Sequence, residues 1–178
     1  MLREILARRG VDDVRVSSAG ELEGGEPADE GTMWAAERLG VDLRGHRSRQ
    51  VTADDVAGAD VVLTMARRHL RHVAVLEPSA FGRSFTLKEL ARRGEVHGPR
   101  RPDETVAEWL ERLGSGRRRA DLVGASADDD IADPIGGTLQ RHAATAEEMT
   151  GLLHRFASLA FPARAAGAAP PNDRSHTA

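Results

Sequence analysis

The feature that most constrains the fold is a short, nearly unbroken apolar run, ADVVLTMA at residues 59–66. Such a run is typical of a parallel β-strand covered on both faces, since neither face then needs polar side chains. A helical pattern follows from Arg67 to Leu76, with Pro78 after its end, and RSFTLKELARRG at residues 83–94 is typical of a strand leading into a helix. Strand and helix therefore alternate, which predicts an α/β fold with a parallel sheet.

The rest of the chain adds one further strand and several helices. VRVSSAG at residues 14–20 alternates apolar and polar side chains, as a half-covered strand does. Thr52 with Asp55, and Thr105 with Glu108, have the spacing of capping boxes and predict two helix starts. Apolar residues at helical spacing predict a long final helix: Met149, Leu153, Phe156 and Ala160.

The predicted domain runs over residues 1–161, and the composition of residues 162–178 is that of a disordered tail. Within the domain, residues from Gly94 to Pro102 have the composition of a loop. GSGRRRADLVGASADDD at residues 114–130 is mixed in charge and predicts a flexible surface insertion.

Composition excludes several classes of function. The 178 residues contain no cysteine, so disulfides, thiolate zinc sites and a cysteine nucleophile within the chain are ruled out. The net charge of −3 gives no support to nucleic-acid or membrane binding. The absence of cysteine and of a signal-peptide pattern predicts a cytoplasmic location.

Parallel sheets bind ligands at the carboxyl ends of their strands, so the loops of interest follow Ala19, follow Met65 and surround Asp133. In DDDIADPIGGTLQ, residues 128–140, Asp133 stands before a proline and three residues ahead of a glycine pair. Such a turn presents a carboxyl group on a stiff backbone, suited to a general acid. From these residues alone, an ordinary loop acid that precedes the final helix is the favoured interpretation, because Asp-Pro is common in turns.

Other polar groups have a functional and an ordinary interpretation. Asp128 to Asp130 could bind a cation or form a solvated acidic run. His69 and His72, one helical turn apart, could share a metal or lie on a surface helix, and no third ligand is evident. The basic GSGRRR stretch, residues 114–119, could attract anions, but solvated charge is the usual interpretation. The serines of SSAG have no evident activating base.

In order and spacing, the chain resembles the low-molecular-weight protein tyrosine phosphatase family. The resemblance is carried by VRVSSAG, GEPAD, LGVDLRGHRSRQVT, ADVVLTMARRHLR, FTLKELAR and DPIGG with its closing helix. It implies a three-layer α/β/α fold and a metal-free, cofactor-free phosphate-monoester hydrolase acting on a phosphotyrosine protein or a small phosphate monoester. It also implies that Asp133 is the acid that protonates the leaving oxygen.

The chain departs from the family pattern in two ways. The first strand, central in the family's sheet, and the Cys-x5-Arg-Ser loop have no counterpart, since Met1 lies in the first helix. Ile135 and Gly136 stand where the family often has aromatic residues, as in arginine- or arsenate-type relatives. Losing a central strand costs on the order of 10 kcal/mol, comparable with the whole stability of a domain. Two hypotheses follow: a start codon assigned too late in an active phosphatase, or a degenerate, non-catalytic binding module.

Overall fold

The computed structural model describes residues 1–162, so all but the first residue of the predicted tail lies outside the described residues. Two strands, seven α-helices and two 3₁₀ helices form this part of the chain. The strands are β1, Val62–Thr64, and β2, Ser84–Thr86; the α-helices are α1, Leu2–Ala7, α2, Glu30–Arg38, α3, Ala53–Ala57, α4, Arg67–Leu76, α5, Leu87–His97, α6, Val106–Gly114, and α7, Leu139–Ala160.

The two strands form a small parallel sheet, with Val62 opposite Ser84, Leu63 opposite Phe85 and Thr64 opposite Thr86. Helix α4 and a 3₁₀ helix at Pro78–Arg83 connect them. Both strands lie inside the stretches predicted from the apolar runs, and each is followed by the predicted helix. The alternation of strand and helix in the sequence is confirmed.

Residues 14–19 form no strand, turn or helix. Within residues 1–162, no backbone hydrogen bond joins this segment to β1, and we call the space between them the gap. In the same described residues, the only bridge near the segment joins Gly20 to Gln50 in parallel. Val16 and Leu63, one from each side of the gap, are only half-buried. The predicted strand at residues 14–20 is therefore wrong in its pairing, although Val14 and Val16 are half-buried and Arg15 and Ser17 exposed, as its alternation predicts.

The main core forms where α7 packs against α1, α2 and α5. Phe85 and Trp109 are fully buried there, and the Trp109 indole N–H donates to the Gly98 carbonyl at 3.2 Å. The loop predicted from Gly94 to Pro102 starts later than expected, since α5 continues to His97 and only the residues after it are non-helical. Gly94 packs closely against α7: a Cβ there would lie 2.6 Å from Cδ1 of Leu159, whose side chain would have to shift.

The segment after α6 is ordered against β2 rather than being a flexible insertion. The guanidinium of Arg117 binds both carboxylate oxygens of Glu89, at 2.7 and 3.0 Å, and the Ser84 carbonyl at 2.9 Å. It also lies 4.0 Å from the ring centroid of Phe85. Its side chain is 4% exposed. The prediction of solvated basic residues is wrong for Arg117, because a buried carboxylate on α5 pairs with it.

Candidate active site

The turn that contains Asp133 lies at the carboxyl end of β1. The Ile131 N–H donates to the carbonyl of Met65, the residue after β1, at 2.8 Å. The Ala132 carbonyl accepts from the Thr145 hydroxyl of α7 at 3.3 Å. Two of the loops selected from the sequence, after Met65 and around Asp133, therefore meet at the strand end.

The carboxyl group of Asp133 is exposed and only lightly held. Its Oδ1 accepts from the Ile135 N–H at 3.1 Å, which closes the turn around Pro134. Its Oδ2 lies 3.7 Å from the Arg68 guanidinium. Gly136 follows with a φ of 73°, a conformation that favours glycine and lets the chain turn back towards α7. A carboxyl group held in this way can reach a ligand that approaches from solvent.

His69 and Arg68, at the start of α4, lie beside this carboxyl group. The Arg68 Nε donates to Nε2 of His69 at 3.0 Å, which requires an unprotonated Nε2. Burial is the largest effect on the pKa of His69 and, with Arg68, holds it below its usual value. The negative charges of Glu21, Asp130 and Asp133 oppose this shift. Glu21 belongs to the loop after Ala19, so charges near all three selected loops act on the pKa of His69.

Sequence reasoning treated His69 only as half of a metal-binding pair with His72. Within residues 1–162 there is no group of three or more His, Asp or Glu side chains placed to hold a metal ion. No sequence signal places His69 near Asp133, because only His69 follows β1 along the chain and Asp133 reaches the end of that strand through folding.

The acidic run Asp128–Asp130 was predicted to be solvated, and this is wrong for two of its members. Asp129 is 3% exposed and binds the side chains of Arg67 and Arg92, at 2.7 Å each. Asp130 accepts from the backbone N–H of Arg67 at 2.7 Å. The run therefore joins the turn of Asp133 to α4 and α5.

No nucleophile is activated in the described part of the chain near the candidate acid. The chain has no cysteine. Ser17 and Ser18 are exposed. Ile135, beside the candidate acid, is 71% exposed and leaves an apolar side chain at the mouth of the site.

No helix in the described residues is long and apolar enough to cross a membrane.

Comparison with known proteins identifies the family. The profile described as low molecular weight phosphotyrosine protein phosphatase matches residues 1–113, so Asp133 lies beyond the matched part. The low molecular weight protein-tyrosine-phosphatase Etp of Escherichia coli K12 is 30% identical over 109 residues, 60% of this chain and 73% of that protein. A protein-arginine-phosphatase of Geobacillus stearothermophilus is 26% identical over 159 residues, covering 88% of this chain and 84% of that one.

Solved structures agree with this assignment. The YwlE arginine phosphatase from Geobacillus stearothermophilus superposes with a TM-score of 0.61 at 25% identity, covering 88% of this chain and 80% of that chain. A low molecular weight protein tyrosine phosphatase from T. tengcongensis gives a TM-score of 0.62 at 25% identity, covering 87% and 83%. The α/β fold is that of these phosphatases, and the chain belongs to the low molecular weight phosphotyrosine protein phosphatase family.

Proposed function

We propose that this chain supplies the general acid, Asp133, for hydrolysis of a phosphate monoester. The observation that carries the proposal is the position of its carboxyl group, exposed at the carboxyl end of β1 on a turn that is fixed at Ile131. Ligands of parallel sheets bind at this edge, and a general acid contributes roughly 10²- to 10⁴-fold to a rate. Membership of the phosphatase family supports this chemistry.

In the proposed reaction, a thiolate attacks phosphorus and the ester P–O bond breaks. The proton of Asp133 passes to the departing oxygen, so the alcohol leaves neutral. The Asp133 carboxylate then takes a proton from water, which attacks the phosphocysteine and releases phosphate and the thiolate. The thiolate cannot come from the 178 residues, which contain no cysteine. We therefore expect the chain by itself to have no turnover.

We further propose that the strand and the Cys-x5-Arg-Ser loop are encoded before Met1 in the active protein. The gap between residues 14–19 and β1 supports this, because no backbone ladder joins its two sides within the described residues. Half-buried apolar side chains line both sides of the gap: Val14, Val16, Leu63 and Met65. A strand placed there would pair with both neighbours and cover these side chains.

The alternative is a non-catalytic, phosphatase-like binding module, which the absence of cysteine favours. The DNA upstream of Met1 distinguishes the two. An in-frame apolar strand followed by Cys-x5-Arg-Ser supports the enzyme, and an in-frame stop codon or a frameshift supports the module.

Hydrolysis of aryl phosphates tests the role of Asp133. The chain as it stands should show no turnover above Asp133→Ala. With the upstream segment restored, Asp133→Ala should lower kcat by roughly 10²- to 10⁴-fold on phenyl phosphate. The loss should be smaller on p-nitrophenyl phosphate, whose less basic leaving oxygen needs less help from a proton. Equal losses on the two substrates would contradict the assignment of Asp133 as the acid.

The substrate class remains a phosphorylated protein side chain or a small phosphate monoester. Exposed Ile135, in place of an aromatic side chain, reduces stacking on a phosphotyrosine ring. The restored protein should therefore be compared on phosphotyrosine and phosphoarginine peptides of the same sequence. A cytoplasmic location is part of the same proposal, since a catalytic thiolate needs a reducing compartment.

A further inference from the structure

We propose that Asp130, supported by Asp129, is a positioning residue that holds the carboxyl group of Asp133 and the start of α4 in one arrangement. This inference rests on the proposed function only in naming Asp133 as the acid. The contacts involved span 63 residues of sequence, from Arg67 to Asp130. They give the acidic run a role that is neither cation binding nor solvation.

Asp130 caps α4 from a distant part of the chain. The helix begins at Arg67, and its own N-cap residue, Ala66, has no side chain that can accept a hydrogen bond. The Oδ1 of Asp130 accepts from the Arg67 N–H at 2.7 Å, and its Oδ2 accepts from the Ser126 N–H at 3.1 Å. A carboxylate at this end of a helix also interacts favourably with the helix dipole. One side chain thus orders both the helix start and the loop before the acid.

Asp129 fastens the same loop to two helices. Its Oδ2 binds Nε of Arg67 and its Oδ1 binds the Arg92 guanidinium, each at 2.7 Å. Both oxygens are therefore occupied by arginines, which leaves none directed at a cation. The Lys88 ammonium of α5 adds a hydrogen bond to the Asp130 carbonyl at 2.9 Å. The buried charge of Asp129 is balanced within the protein.

These contacts limit where Asp133 can lie. Ile131 and Ala132 are the two residues between Asp130 and Asp133. Ile131 is hydrogen-bonded to Met65, and Ala132 is hydrogen-bonded to Thr145. Asp130 also fixes the first turn of α4, which carries Arg68, the cation 3.7 Å from Asp133. Releasing Asp130 would therefore loosen the acid and its cationic neighbour together.

The amide of Ile135 reports on this arrangement, because its N–H donates to Asp133 Oδ1. On the 178-residue chain labelled with ¹⁵N, Asp133→Ala should move the Ile135 amide signal by removing its acceptor. Asp130→Ala should move the same signal at least half as far and increase hydrogen exchange at Ile131 by about fivefold to tenfold. Asp130→Asn should restore most of the native signal, since its amide oxygen can still cap α4.

Thr105→Ala is the matched control, because it removes the cap of α6, far along the chain from the acid. It should destabilise the protein without moving the Ile135 signal. Arg92→Ala, which removes one of the two partners of Asp129, gives a milder variant if Asp130→Ala does not fold, and it should shift the signal in the same direction. An unmoved Ile135 signal in these variants, or an equal shift in Thr105→Ala, would overturn the proposal. The readout needs no turnover, so failure of the proposed hydrolysis would leave this result intact.

Discussion

Arg117→Ala is expected to cause a large and specific loss of stability. The Arg117 side chain is 4% exposed and its partner Glu89 is 7% exposed, so the pair is almost completely removed from water. Removing Arg117 leaves a buried carboxylate and frees the carbonyls of Phe81 and Ser84, which accept from the same guanidinium at 3.1 and 2.9 Å. Its contact with the Phe85 ring is lost as well.

The expected magnitude follows from these contacts. Breaking a buried ion pair by removing one partner costs about 3–5 kcal/mol. Arg93, 3.2 Å from the same carboxylate and 24% exposed, still compensates part of the charge of Glu89. We therefore expect a loss of about 3 kcal/mol in the free energy of unfolding, a large fraction of the ~5–15 kcal/mol of a typical domain.

Arg118→Ala is the matched control, because it removes the same type of side chain from the adjacent position. Arg118 pairs with Asp121 at 3.0 Å, but its side chain is 79% exposed, and such surface pairs contribute less than about 1 kcal/mol. Urea unfolding can be followed through the fluorescence of buried Trp109. The urea midpoint should fall strongly in Arg117→Ala and scarcely in Arg118→Ala. Similar midpoints for the two variants would refute the reasoning.

Two further predictions concern α2 and the acid loop. Gly31→Ala should lower the unfolding free energy by about 1 kcal/mol, since overpacking costs ~1–3 kcal/mol and the gain in helix propensity offsets part of it. A Cβ there would lie 2.5 Å from Nε2 of buried His142; a thermal midpoint at or above that of the parent would contradict this. For Asp129, burial acts to raise the pKa, but hydrogen bonds from Arg92 and Arg67 outweigh it and leave the pKa below its usual value. The stability from this carboxylate is therefore fully present above its unfolded pKa of about 3.9 and is lost as pH falls through the folded pKa. Asp129→Asn should make the unfolding free energy fall less steeply below about pH 4, and an equally steep fall in urea titrations would count against it.

Features decided by neighbouring residues could be predicted from the sequence. The capping boxes at Thr52 and Thr105 are confirmed, because each needs only one partner three residues along the chain. The stretches around Val62 and Phe85 likewise predicted the positions of both strands correctly, but only β2 is buried throughout, since Val62 and Leu63 of β1 are half-buried. In these cases local spacing and burial point to the same structure.

Features decided by distant partners could not be predicted. Arg117, Arg118 and Arg119 are chemically identical in the sequence, yet only the first meets a carboxylate buried on α5. The partners of Asp129 lie 37 and 62 residues away. Charge runs are usually solvated, and that general rule failed where folding placed an opposite charge inside the protein.

The unpaired segment at residues 14–19 shows a different limit. Alternating side chains determine extended backbone, but a ladder also requires a neighbour at the correct distance. Within the described residues, the carbonyl of Val16 accepts instead from the Arg3 side chain of α1 at 2.9 Å. A sequence pattern can therefore predict which side chains of a segment are covered without predicting what pairs with its backbone.

The turn that contains Asp133 is held in place by parts of the chain other than residues 14–19, the segment across the gap from β1. In residues 1–162, the hydrogen bonds and ion pairs that fasten residues 126–133 come from residues 65–145. None of them crosses the gap between residues 14–19 and β1. A strand entering that gap parallel to β1 would end at the edge where Asp133 lies, because the carboxyl ends of parallel strands meet at one edge of a sheet. The acid could therefore keep its position whether or not the gap is filled, which is why its geometry can be tested in a chain that lacks the nucleophile.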